Sequence, residues 1–141
     1  MRILALDVGE KNIGLAISDE LGWTAQGLPS IKVQSRDKSI ASILDITRQR
    51  QVGEIVVGMP VNLDGTTGKK AKEVADFVQD LKKRTQLPIK VWDERLTSMQ
   101  AEKLMLEADL SRKKRKKRID MLSAQLILQS YLDAESRSDN A

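Results

Sequence analysis

Arg2 to Asp19, RILALDVGEKNIGLAISD, constrains the fold more than any other stretch of the chain. Ile3 to Leu6 is one apolar run, Asp7-Val8-Gly9 ends it, Glu10-Lys11-Asn12 turns, and Ile13 to Ile17 is a second run. Two such runs around a short polar turn predict two strands joined as a hairpin. Because the runs are unbroken and do not alternate with polar residues, they predict strands covered on both faces, at the centre of a sheet. A carboxylate at the end of such a strand is costly unless a partner or a cation compensates its charge. Asp7 is therefore the first candidate functional residue, and Gly9 and Gly14 leave room for close approach to the backbone beside it. The plainer reading, in which Asp7 only bonds turn amides, stays open on this stretch alone.

The 141 residues fit one domain with a real core, expected over residues 1–135, with 136–141 as a frayed tail. With 40% hydrophobic and 31% charged residues the chain reads as globular rather than disordered. No apolar run is long enough to span a bilayer and no secretory leader opens the sequence, so a cytoplasmic protein without membrane contact is expected. There is no Cys and no His. Acid–base or metal chemistry must then rest on carboxylates, Lys, Tyr or water, and the expected metal is a hard cation, Mg²⁺ or Mn²⁺, in place of zinc.

The net charge of +4 is unevenly placed. Arg112-Lys113-Lys114-Arg115-Lys116-Lys117-Arg118 holds seven of the 24 basic residues, and the remainder is outnumbered by the 20 acidic ones. By default this run is a solvated charged loop. It contains no aromatic residue, which favours attraction to a phosphate backbone over base stacking.

Beyond the hairpin, Thr24 to Val33 predicts a third strand, nearer an edge because Gly27 and Pro29 interrupt it. Ser35 to Gln51 has helical spacing, and Glu54 to Gly58 is a short β-branched strand closed by Pro60. Asn62 to Gly68 is a glycine-rich loop without the spacing of a Walker phosphate loop. Lys69 to Arg84 is an amphipathic helix with Ala71, Val74, Ala75, Val78 and Leu81 on one face. Ile89 to Trp92 is a further strand, Thr97 with Gln100 forms a capping box for a helix to Leu110, and Ile119 to Leu132 reads as a buried helix. A meander of three strands followed by βαβ alternation predicts an α/β fold, a mixed five-stranded sheet with helices on both faces. Ligands of such sheets sit at the carboxyl ends of the central strands, where Asp7 lies.

Further acids follow. Asp93 and Glu94 end the last strand, and alternation sends them to opposite faces, so only one converges easily with Asp7. In the plainer reading Arg95 pairs with one of them and both are solvated. Asp120 falls in the first turn of the expected final helix, where an acid also complements the helix dipole. Taken together the three could form a carboxylate cluster, which repels itself unless cations occupy it.

DVGEKNIGLAISD, VGMPVNLDGTTGKKA, WDERLT and KKRIDMLSAQLILQSYL, in this order, resemble the YqgF/RuvX family. The resemblance covers nearly the whole chain. It implies an RNase H-like fold and a nuclease, described for the family either as a pre-16S rRNA nuclease or as a Holliday-junction resolvase. It also implies that Asp7, Glu94 and Asp120 are the catalytic and metal-holding acids, with Asp93 the runner-up for the second place. RuvC-type resolvases carry an acid at the end of strand four, but here that end is Gly58-Met59-Pro60, so the second acid has to come from the neighbouring strand. Asn12 stands where many members have Arg, which weakens any role for this position in gripping phosphate. Lys11, Lys69, Lys70, Arg95 and the run Arg112 to Arg118 are the candidate nucleic-acid contacts. The partner is structured RNA such as pre-rRNA, or branched DNA, bound by a monomer or a homodimer. A non-catalytic nucleic-acid-binding module is the rival from another class. An actin-like nucleotide-binding hairpin is a third, for which 141 residues are too few.

Overall fold

The opening hairpin forms the middle of the sheet. β1 (Arg2–Val8) pairs antiparallel with β2 (Asn12–Ser18), and β3 (Ala25–Lys32) pairs antiparallel with β2. On the other side of β1, β4 (Val52–Met59) and β5 (Ile89–Asp93) add in parallel, giving the order β3-β2-β1-β4-β5. The computed structural model describes residues 1–61, 68–94 and 112–139, with the side chains of residues 112–120 and 137–139 outside the description. The glycine-rich loop over residues 62–67, the capping box with its helix to residue 110, and Arg95 therefore lie outside the described residues.

Alternation along the strands sorts the side chains into two cores. Leu4, Leu6, Ile13, Leu15, Ile55 and Val57 face one side, where α1 (Arg36–Gln49) and α2 (Lys69–Arg84) cover them. Ala5, Ala16, Ala25 and Val56 face the other, under α3 (Arg112–Asp139). These four side chains are small, which lets that helix lie close to the middle of the sheet. A Cβ placed on Gly27 would come within 2.3 Å of Met121 Cγ.

Each helix follows from its sequence. Ser35 caps α1 by accepting a hydrogen bond from the Lys38 amide at 3.2 Å. α2 keeps the expected bounds and buries Ala71, Val74, Phe77, Val78 and Leu81, whereas Ala75, expected on that face, is exposed. α3 is clamped to the sheet by polar side chains on its docked face. Gln125 Nε2 donates to the Ala25 carbonyl at 3.0 Å, Gln129 Oε1 accepts from the Ala25 amide at 3.2 Å, and Tyr131 Oη donates to Glu54 Oε1 at 2.6 Å.

Two expectations for this helix are corrected. The basic run Arg112 to Arg118 is not a loop but the first two turns of α3, and the helix continues past Ser136 to Asp139. Lys and Arg are good helix formers, and a helix nucleated by docking against the sheet extends into them at little cost. Burial is also one-sided. Ser123, Ala124, Ile127, Leu128, Tyr131 and Leu132 form the buried stripe, and Met121, Leu122, Gln125, Leu126, Gln129 and Ser130 around them are partly exposed.

Candidate active site

Asp7 sits where the sheet's connections diverge, since β1 leads to β2 on one side while β4 lies on the other. Its neighbours in the sheet are both glycines. Asp7 pairs with Gly14 of β2, and one step beyond the Leu6–Val57 pair it stands beside Gly58 of β4. Gly58 in turn pairs with Trp92 of β5. The row Gly14–Asp7–Gly58–Trp92 faces α3, because Ala5 and Val56, two residues earlier on their strands, belong to that core. Gly9, the other glycine singled out from the sequence, has a different task. Its amide donates to the Asn12 carbonyl at 3.0 Å, and a Cβ there would lie 2.7 Å from that oxygen, so it closes the turn and does not open space at Asp7.

Glu94 follows β5 immediately and has the same parity as Trp92, whose ring meets Tyr131 of α3 edge-on with centroids 5.6 Å apart. Its side chain runs back across β4. A Cβ on Gly58 would lie 2.8 Å from Glu94 Oε1 and 2.9 Å from Glu94 Cγ. Glu94 thereby reaches Asp7 and shares a hydrogen bond with it. Burial, that hydrogen bond and the Asp7 charge push the Glu94 carboxyl up to about 9, while Lys70 pulls the other way. Asp93, on the opposite parity, pairs with Met59 in the sheet register, and Met59 packs on the α1/α2 side.

The remaining candidates are placed as follows. Lys70 comes within electrostatic range of Glu94. Lys69 and Lys70 are exposed in the first turn of α2, which holds no acid, the reverse of what a helix dipole favours on its own. Lys11 is exposed at the hairpin tip, its carbonyl accepting from the Val33 amide at 2.8 Å. Asp120 lies on the described backbone of α3, not in its first turn but as the ninth residue counted from Arg112. Dipole stabilisation fades within one turn, so that plainer account of Asp120 lapses. Gln125 contacts Ala25 and Gln129 contacts Trp23, so α3 runs opposite to β3, and its earlier residues lead toward the carboxyl end of β1. The backbone of Asp120, and beyond it that of Arg112 to Arg118, is on that side.

Two adjacent carboxyls with no His or Cys form a donor set suited to a hard cation. Among the described residues no third metal-ligating side chain joins them.

The sheet order and helix layers make this an RNase H-like α/β fold, with a carboxylate pair at the strand ends where such sheets bind ligands. Solved structures share the architecture. T. thermophilus RuvC in complex with Holliday junction substrate matches with a TM-score of 0.60 at 16% identity, over 98% of this chain and 97% of that one. The fowlpox virus resolvase in complex with substrate Holliday junction DNA matches with a TM-score of 0.58 at 14% identity, over 96% and 99%. The chain belongs to the RuvX family, described as Holliday junction resolvase, which it matches over residues 1–134. A relative from Desulforamulus reducens named "Putative pre-16S rRNA nuclease" is 48% identical over 137 residues, covering 97% of this chain and all of its own. One of the same name from Clostridium tetani is 51% identical over 134 residues, covering 95% of this chain and 97% of its own.

Proposed function

We propose that this chain is a metal-dependent nuclease that hydrolyses phosphodiester bonds in structured nucleic acid, with the 5′ end of pre-16S rRNA as its substrate in the cytoplasm. The observation that carries this reading is the meeting of Asp7 and Glu94 across Gly58 at the carboxyl end of the central strand. The printed name of relatives at 48% and 51% identity supports the RNA substrate.

Asp7 and Glu94, with Asp120 as the third acid, would hold Mg²⁺ or Mn²⁺. Such a cation supplies positive charge at the scissile phosphate and a nucleophile at neutral pH. The chain's own part is to fix the two carboxyls side by side at the strand ends, with Gly58 between them leaving the space that Glu94 fills. Lys70, Lys69 and Lys11 attract the phosphate backbone toward that edge, and the basic turns of α3 extend the attraction along the substrate.

A second reading, hydrolysis of four-way DNA junctions, is favoured by the family's own description. Both use the same acids and differ in substrate. Labelled pre-16S 5′-leader RNA and a four-way junction, each incubated with Mn²⁺ and the protein, separate them. The RNA reading predicts faster single-turnover cleavage of the leader. Faster cleavage of the junction selects the second reading, and cleavage of neither leaves a non-catalytic binding module.

A further inference from the structure

We propose that Gly58 is a positioning residue of the site, its missing side chain being the passage through which Glu94 reaches Asp7. The inference rests on the reading of Asp7 and Glu94 as the acid pair. Asp7 is on β1 and Glu94 follows β5, with β4 between them. Strands lie about 4.8 Å apart, so the two backbones are separated by about 10 Å, and a glutamate must lie flat across the intervening strand to close that gap. The strand it crosses presents Gly58 at that point. Glu94 Cγ and Oε1 occupy the space a Cβ would need, at 2.9 and 2.8 Å. A methyl group there displaces the part of Glu94 that spans the distance, while the Gly58 backbone is held in register with Trp92 of β5 and follows directly on the Leu6–Val57 pair.

A competing purpose for the glycine is visible in the same place. Ile127 Cδ1 of α3 lies 2.6 Å from the position of the added Cβ, so Gly58 could serve helix packing alone. The two purposes separate by substitution. Gly58→Ala meets both neighbours. Adding Ile127→Val removes the Cδ1 contact and leaves the Glu94 contact, and it keeps the test open where Gly58→Ala alone loosens α3. Glu94→Ala removes the Glu94 contact and leaves the packing.

The readout is the Mn²⁺ dissociation constant of the metal-free protein by calorimetry, beside a thermal melt. Loss of a group that orients a metal ligand weakens affinity about 10- to 100-fold. Gly58→Ala should lose this much, and Gly58→Ala/Ile127→Val should recover stability but not affinity. In the Glu94→Ala background, Gly58→Ala should change affinity by less than about twofold, because the group it acts through is gone. Recovery of affinity by Ile127→Val, or an equal loss from Gly58→Ala with and without Glu94, overturns the inference and leaves the acid pair standing. Wild-type affinity in Gly58→Ala with weakened affinity in Glu94→Ala does the same. Wild-type affinity in Glu94→Ala removes Glu94 from the site and the inference with it.

Discussion

Glu94 and Asp7 lie on strands that do not touch, yet their carboxyls share a hydrogen bond. The pair is held from both ends. Asp7 is on the central strand, paired on either side, and Glu94 follows a strand whose Trp92 is fixed by α3, its Nε1 donating to Ser130 Oγ at 3.2 Å. Two carboxylates this close cannot readily both carry charge, and the Glu94 carboxyl accordingly keeps its proton well above the ordinary carboxylate range.

Adjacent in sequence, Asp93 and Glu94 should behave as different residues. Glu94→Gln keeps the shape and removes the ionisable carboxyl that faces Asp7. Asp93→Asn alters the face occupied by α1 and α2. Single-turnover cleavage should fall at least about a hundredfold for Glu94→Gln, beyond what losing an orienting group alone costs, and less than about threefold for Asp93→Asn. The opposite ranking reassigns the second acid to Asp93.

Stability in metal-free buffer should depend on the Glu94 proton. The folded state holds that proton more tightly than the unfolded chain, because burial and Asp7 raise the carboxyl from 4.5 to about 9. The protonated form therefore stabilises the fold at low pH, and this contribution is lost as pH rises from the ordinary carboxylate range toward 9. Relative to wild type, Glu94→Gln should gain melting temperature as pH increases through that window in the presence of chelator. Parallel melting curves across the window contradict the shift.

How much of this was legible in the sequence varies by element. The hairpin, β4 and the bounds of α2 rest on local apolar period, which those stretches display without interruption. The same is true of the parity argument that separates Asp93 from Glu94. That the second acid should come from the strand beside β4 follows from the family resemblance and not from the local pattern, and the strand hydrogen-bonded to β4 there is β5. The role of Gly58 itself is not a local property, since it depends on which strands flank it and on how far Glu94 must reach. Ala75 and Phe77 both suit the period of α2, and only the docking of the helix decides that Phe77 is buried. The basic run read as a loop because like charges three and four residues apart repel in an isolated helix. In the folded chain the docked turns from Met121 onward carry it into α3.

That helical basic run gives a test of substrate path. Seven consecutive residues on a helix face all directions, so about three to four can reach one phosphate backbone. Replacing Arg112 to Arg118 with Gln keeps helix propensity and removes the charge. The slope of log affinity against log salt on duplex DNA should flatten by about three to four units, with sequence preference unmoved. An unchanged slope in a salt titration of binding moves the substrate path elsewhere.

Tyr131 anchors α3 away from the acids, its hydroxyl donating to Glu54, which also pairs with Lys90 at 3.4 Å. Tyr131→Phe should cost about 1 kcal/mol in urea denaturation, the net value of one hydrogen bond whose acceptor keeps another partner. Cleavage at saturating substrate should not change. A loss of activity without a loss of stability ties this end of α3 to the chemistry instead.

The central claim is that Asp7 and Glu94 form the core of a metal-dependent nuclease site, and one comparison meets it directly. Purified wild type and Asp7→Asn are incubated with labelled pre-16S leader RNA, each with chelator and with Mn²⁺, and cleavage is followed in a single turnover. Wild type should cleave only with Mn²⁺, and Asp7→Asn should lose at least about a hundredfold in rate while keeping its far-UV circular dichroism and its RNA affinity. Cleavage by wild type in chelator, or by Asp7→Asn at the wild-type rate, contradicts the account.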